Sequence, residues 1–230
     1  MSWKKLPFKE IKKRVFTALN SNLNYKTEPI LGLPATYLDQ EQFYFNAPFL
    51  KDAPFLSTLI HNPNHIGCHT YSKGESYFSG TQQLEIDLLK ICAVDIFKAT
   101  KNKYDGYVAP GGTEANIQAV WIYRNYFKKE KKAELNEIGF MFSEDSHYST
   151  HKACNLLSVT PIEIKVNSQN REWDKNDLKN KLIEAKKNGV KYLIIQLNMG
   201  TTMFGSVDNP NIILPAIKAH YKDYFVHIDA

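Results

Sequence analysis

Cysteine, arginine and long apolar runs are all scarce in this chain, and each scarcity removes a class of protein. The three cysteines, Cys68, Cys92 and Cys154, are widely spaced with no Cys-x-x-Cys pair. That excludes a cysteine-built zinc site, gives no metal centre to expect, and points to a reducing compartment, so a cytoplasmic location is expected. Only three of the 29 basic residues are arginines and the net charge is +5. The densest basic run, residues 128–132, contains Glu130 and closes a predicted helix, as a solvated helix end does. Nucleic acid is therefore not an expected partner. The first seven residues hold no apolar signal core, and no stretch reaches the about 18 apolar residues of a membrane span, so no membrane partner is expected. The phosphate-binding signatures Gly-x-x-x-x-Gly-Lys-Ser/Thr and Gly-x-Gly-x-x-Gly are absent, as are internal repeats and low-complexity tracts.

What remains is a 230-residue chain with 43% hydrophobic and 13% aromatic residues, enough for one large domain or slightly more. Residues 1–80 read as an irregular arm with one helix over 8–19, of the kind that wraps another surface. From Thr81, which can cap a helix, the pattern becomes regular. Strands are predicted over 104–109, 138–142, 160–166, 190–197 and 224–229. Helices are predicted over 113–127, 150–157, 174–188 (capped by Asp174 and closed by Gly189) and 211–220. Strands alternating with helices of this length imply an α/β domain over 81–230, a mostly parallel sheet with helices on both faces. The last strand has no helix after it, so the domain reads as truncated.

In such sheets ligands bind at the carboxyl ends of the strands, and four motifs are predicted there. Gly111-Gly112-Thr113 opens a helix, and its free N–H groups and dipole suit a phosphate, with Thr113 as cap. His147 follows the strand over 138–142 and suits stacking on a cofactor ring. Thr201 and Thr202 follow the aliphatic run ending at Leu197 and suit a phenolate oxygen or a carboxylate. Asp229 ends the last strand, where a carboxylate needs a partner to offset its desolvation. Each has an ordinary structural reading too, as a turn, a loop residue or a helix cap. Together they suit one cofactor, pyridoxal 5'-phosphate, whose pyridinium nitrogen is a partner for Asp229.

The stretches Gly106-Tyr107-Val108-Ala109-Pro110-Gly111-Gly112-Thr113-Glu114-Ala115-Asn116, Asp145-Ser146-His147-Tyr148-Ser149, Asn198-Met199-Gly200-Thr201-Thr202 with Gly205 and Asp208, and His227-Ile228-Asp229-Ala230 carry a resemblance. From about residue 64 onward the chain resembles the group II pyridoxal-phosphate-dependent amino-acid decarboxylases, nearest their bacterial histidine decarboxylase type. The resemblance implies a fold type I, aminotransferase-like large domain and a homodimer with active sites at the subunit interface. It implies phosphate contacts from Gly112 and Thr113 and ring stacking by His147. It further implies that Thr202 lies near the ring oxygen, that Asp229 pairs with the ring nitrogen, and that Ala230 packs on the opposite ring face. His147 and Asp229 are then the catalytic pair, acting on an amino-acid substrate. The family's Schiff-base lysine follows a histidine well downstream of the Asp-Ala pair, so the chain is expected to stop before it. The one His-Lys pair present, His151-Lys152, falls inside a predicted helix. A carbon–carbon lyase of the same fold and a non-catalytic pseudoenzyme or dimerisation subunit are the alternative readings. The aromatic segment over 64–78 suits either an active-site wall or dimer packing.

Overall fold

The structure, a computed structural model, describes residues 5–23, 28–29 and 79–230. The aromatic segment over 64–78 and most of the irregular arm lie outside these residues. By its internal contacts the chain divides into two compact units, Met1–Val108 and Ala109–Ala230. The helix near Thr81 thus groups with the N-terminal unit, and the division falls later than residue 80.

In the first unit, α1 (Phe8–Asn20) and α2 (Ser79–Lys90) meet at a glycine. A Cβ on Gly80 would lie 1.8 Å from the Ala18 carbonyl oxygen, so only glycine permits this approach. Thr81 is not the cap of α2. It lies inside the helix, and the Asn22 side-chain oxygen accepts from the backbone N–H of Gly80 at 3.0 Å and of Thr81 at 3.2 Å. A π-helical turn, Ile91–Ile96, continues α2. The strand expected over 104–109 is not formed. Its backbone donors are taken by carboxylates instead: Gly106 N–H by Asp105 at 2.8 Å and Val108 N–H by Glu85 at 2.6 Å. A ladder needs those donors for a neighbouring strand.

The second unit is an all-parallel four-stranded sheet in the order β2-β1-β3-β4, where β1 is Ile138–Ser143, β2 Thr160–Ile164, β3 Tyr192–Asn198 and β4 Tyr224–Asp229. Helices α3 (Gly112–Glu130) and α4 (Ser149–Leu157) cover one face. Helices α5 (Lys175–Lys187) and α6 (Pro210–His220) cover the other. Alternation along the strands splits the core accordingly. Ile138, Phe140 and Phe142 of β1 face α3 and α4, while Met141 faces α5 and α6 with Leu193, Ile195 and Leu197 of β3. Helix α3 is seated by a stripe at helical spacing, Asn116, Val120 and Phe127, with Tyr123 stacked on Phe225 of β4 at 4.7 Å between ring centres.

The chain leaves β1 toward β2 through α4 and leaves β3 toward β4 through α6, on opposite faces. Strand order therefore reverses between β1 and β3, and a crevice opens at their carboxyl ends, the place where sheets of this type bind ligands.

Candidate active site

At that crevice lies a cavity of about 380 Å³. All six residues singled out from the sequence, Gly112, Thr113, His147, Thr202, Asp229 and Ala230, line it. They arrive from three strand ends and one helix start. The helix start, though, follows irregular chain and not a strand, so three of the four motifs, and not all four, sit at strand carboxyl ends.

The helix start is open. Gly111 is the N-cap of α3 with extended backbone, and no side chain caps the helix. Thr113 lies inside the first turn and is not the cap, because Gly111 already supplies the carbonyl that accepts from Glu114 and Ala115 N–H. A Cβ on Gly111 or Gly112 would meet nothing within 4 Å. The protein's own packing does not demand glycine there, and the space is left for a ligand at a positive helix end.

Across the cavity, the sheet face that is aromatic at Phe225 turns polar toward the carboxyl edge. Gln196 pairs in register with His227 and Asn198 with Asp229. The Asp229 carboxylate accepts through one oxygen, Oδ2, from Asn116 Nδ2 at 3.0 Å and from Gln196 Nε2 at 3.1 Å. Among the described residues it has no ion-pair partner. Gln196 is fully buried and held from behind by the Thr150 hydroxyl, which donates to its Oε1 at 3.2 Å. Burial pushes the His227 imidazole below its ordinary range, against the opposing pull of the Asp229 charge.

His147 sits on the loop after β1, and its Nδ1 lies 2.8 Å from the Ser149 hydroxyl and accepts from Ser149 N–H at 3.3 Å. The next loop is a tight excursion from β3. Gly200 and Gly205 adopt positive φ (107° and 63°), and Gly200 and Thr201 N–H both donate to the Ser206 carbonyl. The Thr201 hydroxyl is engaged with Ser206 at 2.7 Å. Asp208 clamps the base of this loop by accepting from Asn198 N–H at 2.7 Å and Asn198 Nδ2 at 2.8 Å. Burial raises the Asp208 carboxyl, and those two donations oppose the rise.

Sequence reasoning missed Asn116, Ser149, Gln196, Asn198 and His227. The signal for two of them is present: Gln196 and His227 interrupt aliphatic strands, and a polar group inside a parallel sheet must find partners. The pair His151-Lys152 is turned elsewhere. His151 pairs with Glu163 at 3.0 Å, and the Lys152 ammonium lies 5.2 Å from the centre of the Tyr148 ring. No lysine lines the cavity among the described residues.

A family model, the pyridoxal-dependent decarboxylase conserved domain, matches residues 65–230. The chain belongs to the pyridoxal-dependent decarboxylase family. A tryptophan decarboxylase of Clostridium sporogenes is 44% identical over 227 residues, covering 99% of this chain and 54% of that protein. A histidine decarboxylase of Vibrio anguillarum is 26% identical over 197 residues, covering 83% of this chain and 48% of its own. The chain thus spans about half the length of the curated relatives it matches. Among solved structures, the L-methionine decarboxylase of Streptomyces sp. 590 aligns with a TM-score of 0.61 at 18% identity, over 95% of this chain and 52% of that one. The glutamate decarboxylase domain from Vibrio parahaemolyticus aligns with a TM-score of 0.60 at 16% identity, over 100% and 59%. These two likenesses establish the fold, the α/β architecture expected from the strand–helix alternation. The family's cofactor is pyridoxal phosphate. The residues present fit that group: an uncapped helix start with free space for a phosphate faces a carboxylate that lacks a cation.

Proposed function

We propose that the complete protein carrying this chain removes the carboxyl group of an L-amino acid as CO2, giving the amine, with pyridoxal phosphate bound in this cavity. The observation that carries the reading is Asp229: a carboxylate at a strand end, fixed by two amide donors, with one oxygen free of those bonds and no ion-pair partner among the described residues. Pyridoxal phosphate, when bound, supplies an electron sink for the pair left behind as CO2 departs.

The protein's part is to bind, orient and hold protons. The N–H groups of Gly112 and Thr113 bind the phosphate at the α3 N-terminus. Asp229 pairs with the ring nitrogen and keeps its proton in place. His147 stacks on the ring, and because its Nδ1 accepts from Ser149, the imidazole proton resides on Nε2, which is free to donate toward a substrate carboxylate. Thr202 would hold the ring near its oxygen, and Ala230 would pack on the opposite ring face. The lysine implied by the family resemblance is not among the residues lining the cavity. Homodimerisation rests on the same resemblance, and the reading of residues 1–80 as an arm that wraps the partner rests on their irregular, loop-rich sequence. Residence in the cytoplasm rests on the three scattered cysteines; in support, no described helix is long and apolar enough to cross a membrane.

Tryptophan, the substrate in the name of the relative that is 44% identical, is the amino acid to test first. The complete protein, supplied with pyridoxal phosphate, is expected to release CO2 and tryptamine in equal amounts, and a panel of other amino acids defines its range. Stoichiometric cofactor binding with no CO2 from any common amino acid would refute the reading.

A further inference from the structure

The cavity's two sides are joined by one buried side chain, which above appears only as one of the two amide donors to Asp229. Asn116 lies on α3 one turn beyond the open helix start and is 4% exposed. Its amide makes three contacts: Nδ2 to Asp229 Oδ2 at 3.0 Å, Nδ2 to Ser149 Oγ at 3.0 Å, and Oδ1 to His227 Nε2 at 2.7 Å.

Two facts set the directions of these bonds. An ionised carboxylate only accepts, so the atom of Asn116 that faces Asp229 must be the NH2 group. The carbonyl oxygen then faces His227, which must donate from Nε2. The second amide hydrogen goes to the Ser149 oxygen, and because the Ser149 backbone N–H donates to His147 Nδ1 at 3.3 Å, that nitrogen is an acceptor and the Ser149 hydroxyl, 2.8 Å away, donates to it. That in turn leaves the His147 proton on Nε2. A flipped amide would set an oxygen against the Asp229 carboxylate and strand the Ser149 hydroxyl between two acceptors. Burial of His227 favours its neutral form, which still supplies the one donor the arrangement needs.

We propose that Asn116 is the positioning residue of this site: it holds the Asp229 carboxylate at the cofactor's ring nitrogen and, by donating to the Ser149 oxygen, anchors the hydroxyl that bonds to His147. The inference rests on the cofactor reading above. Asn116 lines the cavity, and in this role it acts through Asp229 and, by way of Ser149, through His147. Its place on α3 also ties the phosphate end of the site to the ring end, because the helix that opens at Gly112 carries the amide that fixes Asp229.

The test uses the complete protein and pyridoxal phosphate labelled with 15N in its ring. Two variants separate hydrogen bonding from packing. Asn116→Ser removes the reach of the amide, and Asn116→Asp keeps its shape and the oxygen facing His227 but replaces the donor that faces Asp229. Both are expected to bind the cofactor about tenfold to a hundredfold more weakly, the loss that follows removal of a hydrogen bond to a charged group. Both are also expected to move the ring-nitrogen NMR signal away from its protonated position in the wild type. A purely structural residue would lower the melting temperature and leave that signal in place. The proposal is overturned if both variants keep wild-type cofactor affinity and ring-nitrogen shift, or if neither folds, which would assign Asn116 to the core. A wild-type protein that does not bind the cofactor at all would instead refute the cofactor reading itself, an outcome read before any variant is made.

Discussion

At His147 the Nδ1 lone pair faces both the hydroxyl and the backbone N–H of Ser149, so the ring anchors the first turn of α4 while it lines the cavity. The sequence presented competing readings, a ring stacker or a helix-capping loop histidine; the geometry shows the contact to the helix start and a place at the cavity wall. Two variants separate the contributions. His147→Ala is expected to lower apo stability by about 1 kcal/mol, the worth of a lost N-terminal cap, to weaken cofactor binding and to shift the bound cofactor's absorbance. His147→Asn, which keeps an acceptor for Ser149, is expected to recover most of the apo stability and none of the absorbance. Thermal melts of the apo forms and absorbance titrations of the holo forms check both; an Ala variant with an unchanged spectrum would remove the stacking role. Gly112, His147 and Asp229 were legible in the sequence because a glycine before a helix, a loop histidine and a strand-end aspartate are conspicuous there. Asn116 and Ser149 were not. Two partners of Asn116, Asp229 and His227, lie 113 and 111 residues away along the chain, and Ser149 meets Asn116 from 33 residues away, so only the folded unit brings them together.

Among the elements, those with their own start and stop signals were legible almost to the residue. Asp174 caps α5 by accepting from Asn176 N–H at 2.9 Å and Asp177 N–H at 2.8 Å, and Gly189 leaves it at φ +88°. Asp174→Ala is accordingly expected to lower stability by about 1 kcal/mol in urea unfolding. Because α5 covers the sheet face opposite α3 and α4, cofactor affinity is expected to stay unchanged; a large loss of affinity would mean that the two faces are energetically coupled. The elements that were misread are those whose backbone bonds go to distant side chains. Residues 104–109 alternate as a strand does, but Glu85 and Asp105 take their donors. The start of α2 is set by Asn22, from the far side of a long intervening segment. Neither carboxylates nor amides announce in sequence which backbone N–H they will bind.

For the whole molecule, the reversal of strand order between β1 and β3 gathers His147, Asn198 and Asp229 at one edge, and α3 adds its open N-terminus there. The order β2-β1-β3-β4 could not be read from the sequence, since alternating strands and helices allow several orders. The location of the site could, since every such order places ligands at the carboxyl ends. The match of the pyridoxal-dependent decarboxylase domain to residues 65–230 agrees with the span of the resemblance seen in the motifs. On the function proposed above, Asp229 serves the cofactor ring and not the fold. Turnover of the complete Asp229→Ala holoenzyme, measured with cofactor occupancy confirmed by absorbance, tests it most directly. The predicted result is a loss of about a hundredfold or more in CO2 release with cofactor still bound, the scale of removing a fixed electrostatic partner from a reacting centre. Turnover within about twofold of the wild type at full occupancy, a difference of less than 1 kcal/mol, would contradict it.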